Sequence, residues 1–277
     1  MTQGWLEGRT ALVTGGATGM GRAISESLSG AGARVAIGSL AKGANLNSAA
    51  YAHLPDDDEI GKAVAAIKAQ GGDARAFPLD LRDEQSVDAF HQATVEALGP
   101  VDILINAAGV SAQALITDDD SDGVWQTVLD INLNGPYRTI RRCFPGMIER
   151  GWGRIVNIAS TAANVGHERN AAYCASKHGL LGLMRCVALE GAPHGVTCNA
   201  INPGSVGTGM MKRGSEIRAS LGQGGDWEEN FGLTAQAMPQ GRLITVEEIA
   251  ATALFLCRDE ARGITMEDID IAGGALW

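Results

Sequence analysis

The chain has 277 residues, 22 Lys+Arg against 32 Asp+Glu, a net charge of −10 and 37 glycines. That length suits one large α/β domain with its own core. The acidic balance argues against a nucleic-acid backbone or an anionic membrane surface as partner, and no apolar run approaches the roughly 18 residues of a membrane span.

Short apolar runs alternate with amphipathic stretches along the chain. Thr10–Thr14, Arg34–Ile37, Arg75–Pro78, Asp102–Asn106, Arg154–Ala159 and Thr197–Ile201 read as strands buried on both faces, as in a parallel sheet. Helices are predicted between them at Gly21–Ala31, Glu59–Gln70, Gln85–Leu98, Trp125–Arg142 and Ala171–Glu190. A last helix, Val246–Cys257, precedes a seventh short strand near Asp268–Ile271. The alternation implies a single doubly wound Rossmann-type domain over 1–277, with about seven parallel strands and helices on both faces. Two stretches break the rhythm. An insertion at 39–58 ends in Asp56-Asp57-Asp58-Glu59, an acidic run suited to capping the next helix. The segment 204–241 is rich in Gly and Met and aperiodic. It follows a strand's carboxyl end and is expected to be a substrate lid. The N-terminus lacks a secretory leader pattern, and the five scattered cysteines include no C-x-x-C pair, so a reduced, cytoplasmic protein is expected. No His/Cys/Asp cluster has metal-ligand spacing.

The first strand runs into Thr14-Gly15-Gly16-Ala17-Thr18-Gly19-Met20-Gly21 and then a helix. Glycines at 15, 19 and 21 allow a tight turn and bring backbone N–H groups to a pyrophosphate at a helix N-terminus. The same pattern can be a mere turn; strand before and helix after favour dinucleotide binding. Tyr173 and Lys177 are four residues apart, so on a helix they share a face. A free tyrosine has a pKa of about 10, and an ammonium beside it favours the phenolate.

The spacing T-G-x-x-x-G-x-G, the segment Asn106-Ala107-Ala108-Gly109, Asn132, Ser160 thirteen residues before Tyr173, and Tyr173-x-x-x-Lys177 together resemble the short-chain dehydrogenase/reductase family. The resemblance spans residues 8–274, with Ala107 departing from the family's second Asn. It implies transfer of a hydride between nicotinamide and a secondary alcohol or ketone. Tyr173 would be the general acid/base, Ser160 would bind the substrate oxygen, and Lys177 would hold the nicotinamide ribose. Asn132 would position a water linking Lys177 to solvent. Cofactor contacts are implied for Gly15, Thr18, Gly19, Met20, Gly21, Ser39, Asp80, Leu81, Asn106, Ala107, Ala108, Gly109, Tyr173, Lys177, Pro203, Gly204, Val206 and Thr208.

The second strand is followed by Ser39 rather than an acid, which favours NADP, with Lys42 within possible reach. Thr18, at a position basic in many NADP-preferring relatives, leaves NAD open. The nearest flavours are 3-oxoacyl or polyketide ketoreductases and 3-hydroxybutyrate dehydrogenases. In the latter a small carboxylate is held by Gln, His and Lys; the aligned positions here are Ser111, Ala162 and Asn170. A small-molecule carbonyl or alcohol without that carboxylate is therefore expected, a 3-hydroxyacid being the alternative. A non-catalytic NAD(P)-binding sensor is a further alternative, disfavoured by the intact Ser, Tyr and Lys. Family members are dimers or tetramers packed through the helices at 125–142 and 171–190, so a homo-oligomer is expected.

Overall fold

The computed structural model describes residues 4–40, 43, 46, 50–220, 222 and 225–275. In chain order the elements are β1 (Thr10–Thr14), α1 (Gly19–Gly30), β2 (Arg34–Ser39), β3 (Ala50–Tyr51), α2 (Asp57–Ala69), β4 (Ala74–Pro78), α3 (Glu84–Leu98), β5 (Ile103–Asn106) and β6 (Ser111–Ala112). They continue as α4 (Ser121–Leu129), α5 (Gly135–Arg150), β7 (Gly153–Ile158), α6 (Ala171–Gly191), β8 (Val196–Pro203), α7 (Gly209–Ser220), α8 (Trp227–Ala237), α9 (Val246–Leu256) and β9 (Asp268–Ile271). Seven strands form one sheet in the order β4-β2-β1-β5-β7-β8-β9, and every pairing is parallel. This is the expected doubly wound α/β domain.

The central strands β1, β5, β7 and β8 are buried along their whole length. Their alternating side chains feed two cores, one on each face of the sheet. Leu12, Leu104, Phe90, Ile155 and Met184 pack on one face. Val13, Ile24, Ile37, Ile105 and Ile249 pack on the other. The order of strands reverses between β1 and β5, and loops from both carboxyl ends meet there to open the crevice in which such folds bind ligands.

Three departures from the sequence reading bear on the site. The insertion is not wholly irregular: β3 pairs antiparallel with β6, carrying the chain across the mouth of the crevice. Its acidic end behaves as expected, with Asp56 and Glu59 forming a reciprocal cap on α2. The helix predicted at 125–142 runs from 121 to 150 and contains a π-helical turn at Asp130–Asn134. The segment 204–241 contains two helices where no periodicity was visible. α8 buries no residue, so no apolar stripe marks it. It is started by Asp226, which accepts from the Glu229 N–H at 2.9 Å.

Candidate active site

The glycine loop leaves β1 at Gly15, whose φ of +66° lies in the left-handed region. At Gly21 an added Cβ would sit 2.2 Å from the Gly15 carbonyl oxygen, so only glycine lets the loop close against the start of α1. Thr18, the N-cap of α1, makes no side-chain cap hydrogen bond. The first-turn N–H groups of α1 therefore remain for an anion at the crevice. Gly15, Thr18, Gly19, Met20, Gly21, Ser39, Asp80, Leu81, Ala107, Ala108, Gly109 and Thr208 line one continuous cleft.

The loop after β5 is fastened to β1 by one side chain: Thr14 Oγ1 accepts the N–H groups of Ala107 and Ala108, both at 3.1 Å. Asn106 does not reach the cleft. It is 2% exposed, its Nδ2 donates to Asn157 Oδ1 at 2.9 Å and its Oδ1 accepts from Thr139 at 2.7 Å, so it braces neighbouring strand ends. The Arg82 guanidinium grips the Asp80 carboxylate at 2.9 and 2.7 Å and holds its pKa below the usual carboxylate range.

Ser39 is 7% exposed, and its buried Oγ has no hydrogen-bond partner among the described residues. A buried hydroxyl is normally paired. One left unpaired in the wall of this cleft fits a ligand oxygen, such as a ribose hydroxyl or its phosphate. Together with the glycine cradle this makes the residues present a fit for a dinucleotide. Lys42 lies outside the described residues. His53 and Pro55 of the insertion also line the cleft; His53 Nε2 is 2.8 Å from Glu59. Sequence reading missed both because the insertion has no periodic signal.

A second cleft of about 440 Å³ adjoins the first and shares Met20, Thr208 and Met210 with it. Ser160, Tyr173, Pro203, Gly204 and Val206 line it, with Ser111, Ala162 and Asn170. Ser160 leaves the end of β7 in extended backbone, and its Oγ accepts the Ala162 N–H at 3.1 Å. Tyr173 is half-buried near the start of α6. Lys177, one turn on, is 4% exposed, and its Nζ donates to the Ile158 carbonyl at 2.8 Å. That ammonium lies 5.7 Å from the centre of the Tyr173 ring. Burial pushes its pKa down to about 8.

Asn132 sits in the π-helical turn, 1% exposed. Its Oδ1 accepts the Val110 N–H at 2.9 Å, and its Nδ2 donates to the Val110 carbonyl at 2.8 Å and to Ser176 Oγ at 3.2 Å. A Cβ at Gly109 would meet Asn132 Oδ1 at 3.3 Å and Lys177 Nζ at 3.8 Å. Gly109, in the wall of the first cleft, thus lies directly against this buried polar pair. Cys174, beside the tyrosine, is buried and fills space as a small apolar side chain.

Residues 9–218 match the family model for short chain dehydrogenases. The chain belongs to the short-chain dehydrogenase family. It is 37% identical over 270 residues to the ketoacyl reductase named for the monensin polyketide synthase of Streptomyces virginiae, covering 96% of each chain. It is 32% identical over 272 residues to a D-β-hydroxybutyrate dehydrogenase of Cupriavidus necator, covering 98% of this chain and 96% of that one. Among solved structures it resembles a single-site variant of actinorhodin polyketide ketoreductase with NADPH, at a TM-score of 0.85 and 31% identity over 96% of both chains. The protein is an NAD(P)-dependent oxidoreductase of the alcohol–ketone type.

Proposed function

We propose that the protein interconverts a ketone and a secondary alcohol with Tyr173 as the proton donor and acceptor. The observation that carries this is the shared cleft: Tyr173 and Ser160 line it together, with the Lys177 ammonium buried beneath the tyrosine. When bound, the nicotinamide supplies the hydride in reduction and accepts it in oxidation. Ser160 Oγ donates to the substrate oxygen, stabilising the charge that develops on it. In reduction the Tyr173 hydroxyl gives its proton to that oxygen; in oxidation the phenolate takes it back. Among the described residues the buried Lys177 charge has no carboxylate partner, so phenolate formation at Tyr173 compensates it. The Lys177 ammonium also reaches toward the ribose side past Gly109. Asn132 keeps the π-helical turn open next to Lys177, where a water relays the proton to solvent.

Gly15, Thr18, Gly19, Met20 and Gly21 would cradle the pyrophosphate. Asp80 and Leu81 would bound the adenine, and Ala107, Ala108 and Gly109 the adjoining ribose. Pro203, Gly204, Val206 and Thr208 would border the nicotinamide. The unpaired Ser39 hydroxyl, with no carboxylate at the end of β2, supports NADP over NAD, since an acid there would repel a 2′-phosphate. Titration followed by fluorescence tests this. NADPH should bind at least about 10-fold tighter than NADH, and Ser39→Asp should reverse the order. A wild-type preference for NADH contradicts the assignment.

Ser111, Ala162 and Asn170 face the substrate cleft and none is charged, so a short carboxylate finds no counter-ion on that wall. We place the protein in the cytoplasm, since its five cysteines are all free thiols, as in a reducing compartment; no helix among the described residues is long and apolar enough to cross a membrane. It is read as a homo-oligomer, a dimer or tetramer, because Trp125, Tyr137 and Leu189 expose 44%, 49% and 66% of their surface on α4, α5 and α6. A monomeric mass in light scattering at micromolar concentration contradicts that reading.

A further inference from the structure

The substrate cleft carries one charged side chain from the lid. α7 presents Met211, Gly214 and Arg218 to it, residues spaced three and seven apart and therefore on one face of the helix. Arg218 is half-buried. Of all the arginines, which the structure describes in full, only Arg218 and the exposed Arg262 make no side-chain hydrogen bond or ion pair among the described residues. Its helix neighbour Arg213, by contrast, pairs with Glu216 at 3.1 Å. No Asp or Glu among the described residues lines the cleft, although the chain has 32 of them. A guanidinium withdrawn partly from water and kept from carboxylates lacks the partner such a group normally has. Its planar fork matches a carboxylate or phosphate oxygen pair.

We propose that Arg218 is the counter-ion for an anionic group, a carboxylate or a phosphate, carried by the ketone or alcohol on the side that faces α7. The inference rests on the reading of Ser160 and Tyr173 as the reacting end of the same cleft. Charge recognition then comes from the lid rather than from the wall formed by Ser111, Ala162 and Asn170.

The test uses matched methyl ketones: 4-oxopentanoate against its methyl ester, and the phosphate monoester of 5-hydroxypentan-2-one against the free alcohol. Calorimetric titration of protein loaded with oxidised cofactor, which has no hydride to give, reads binding alone. At least one anion should bind about 10- to 100-fold tighter than its neutral partner, the size of one charge-assisted contact. Which pair shows the ratio identifies the anion. R218Q should abolish the preference, R218K should keep part of it, and the neutral ketones should bind all three proteins alike. Equal binding of anion and neutral partner by the wild type overturns the proposal, as does a preference that survives R218Q. Turnover of the same ketones with reduced cofactor separates the two readings. Charge-selective binding without turnover of any ketone defeats the reaction but not Arg218; turnover without charge selectivity defeats Arg218 but not the reaction.

Discussion

The cofactor wall is made of backbone: glycines 15, 19 and 21 and the Ala107–Gly109 turn, tied down by Thr14 and resting on strands with no exposed surface. The lid wall takes its helical side chains from α7, which buries only Gly214 and Ser215, while α8, which buries nothing, adds no residue to the cleft. A wall of main chain is positioned by sheet register and tolerates little change. A wall of exposed helices can exchange its side chains without disturbing the sheet. On the proposed reading, cofactor binding follows from the main chain of the fold, and substrate choice from side chains such as Met211 and Arg218.

Substitutions should separate the two walls. The largest effect is expected at Gly21→Ala, where the new methyl meets a backbone oxygen at 2.2 Å. The loop must move, costing about 1–3 kcal/mol of stability and most of the cofactor affinity. Chemical denaturation and cofactor titration read both; a variant that binds NADPH normally would show that the cradle is not rigid. R218Q sits at the other extreme, with cofactor affinity unchanged.

Between them lies Lys177, buried with a folded pKa of about 8 against 10.5 for the free side chain. Below about pH 8 both folded and unfolded states carry its proton, and the folded state bears the full cost of burying the charge. Between about pH 8 and 10.5 the unfolded state binds more protons, so this group's contribution to stability rises with pH. Wild type should therefore gain up to about 3 kcal/mol relative to Lys177→Met on going from pH 7 to 10.5 without cofactor. Paired urea melts across that range measure it. A difference that stays flat with pH would mean that Lys177 is hydrated.

The same contrast explains what was legible in the sequence. β1 lies at Thr10–Thr14, the predicted bounds, because strand signals survive where packing is continuous, and the edge strand β9 lies at Asp268–Ile271, near which a short strand was expected. The two lid helices were missed because their faces are mostly solvated, and Arg218 went unnoticed with them. The π-helical turn was also invisible, since it goes with the reciprocal hydrogen bonds between Asn132 and Val110, 22 residues away. Asn106 was read as a cofactor contact from its place in a motif. Its amide is wholly engaged by Asn157 and Thr139, partners that only the tertiary structure brings near. Tyr173, Ser160 and Lys177 could be read as a group from their order alone, and the fold brings them around one cleft.

The most direct test of the account is Tyr173→Phe, which removes the proton donor and almost no volume. NADPH affinity and pre-steady-state ketone reduction should be measured on the same preparation. The account predicts NADPH binding within about threefold of wild type and reduction slowed at least about 10³-fold. Reduction within tenfold of wild type would contradict it and assign the proton transfer to another group.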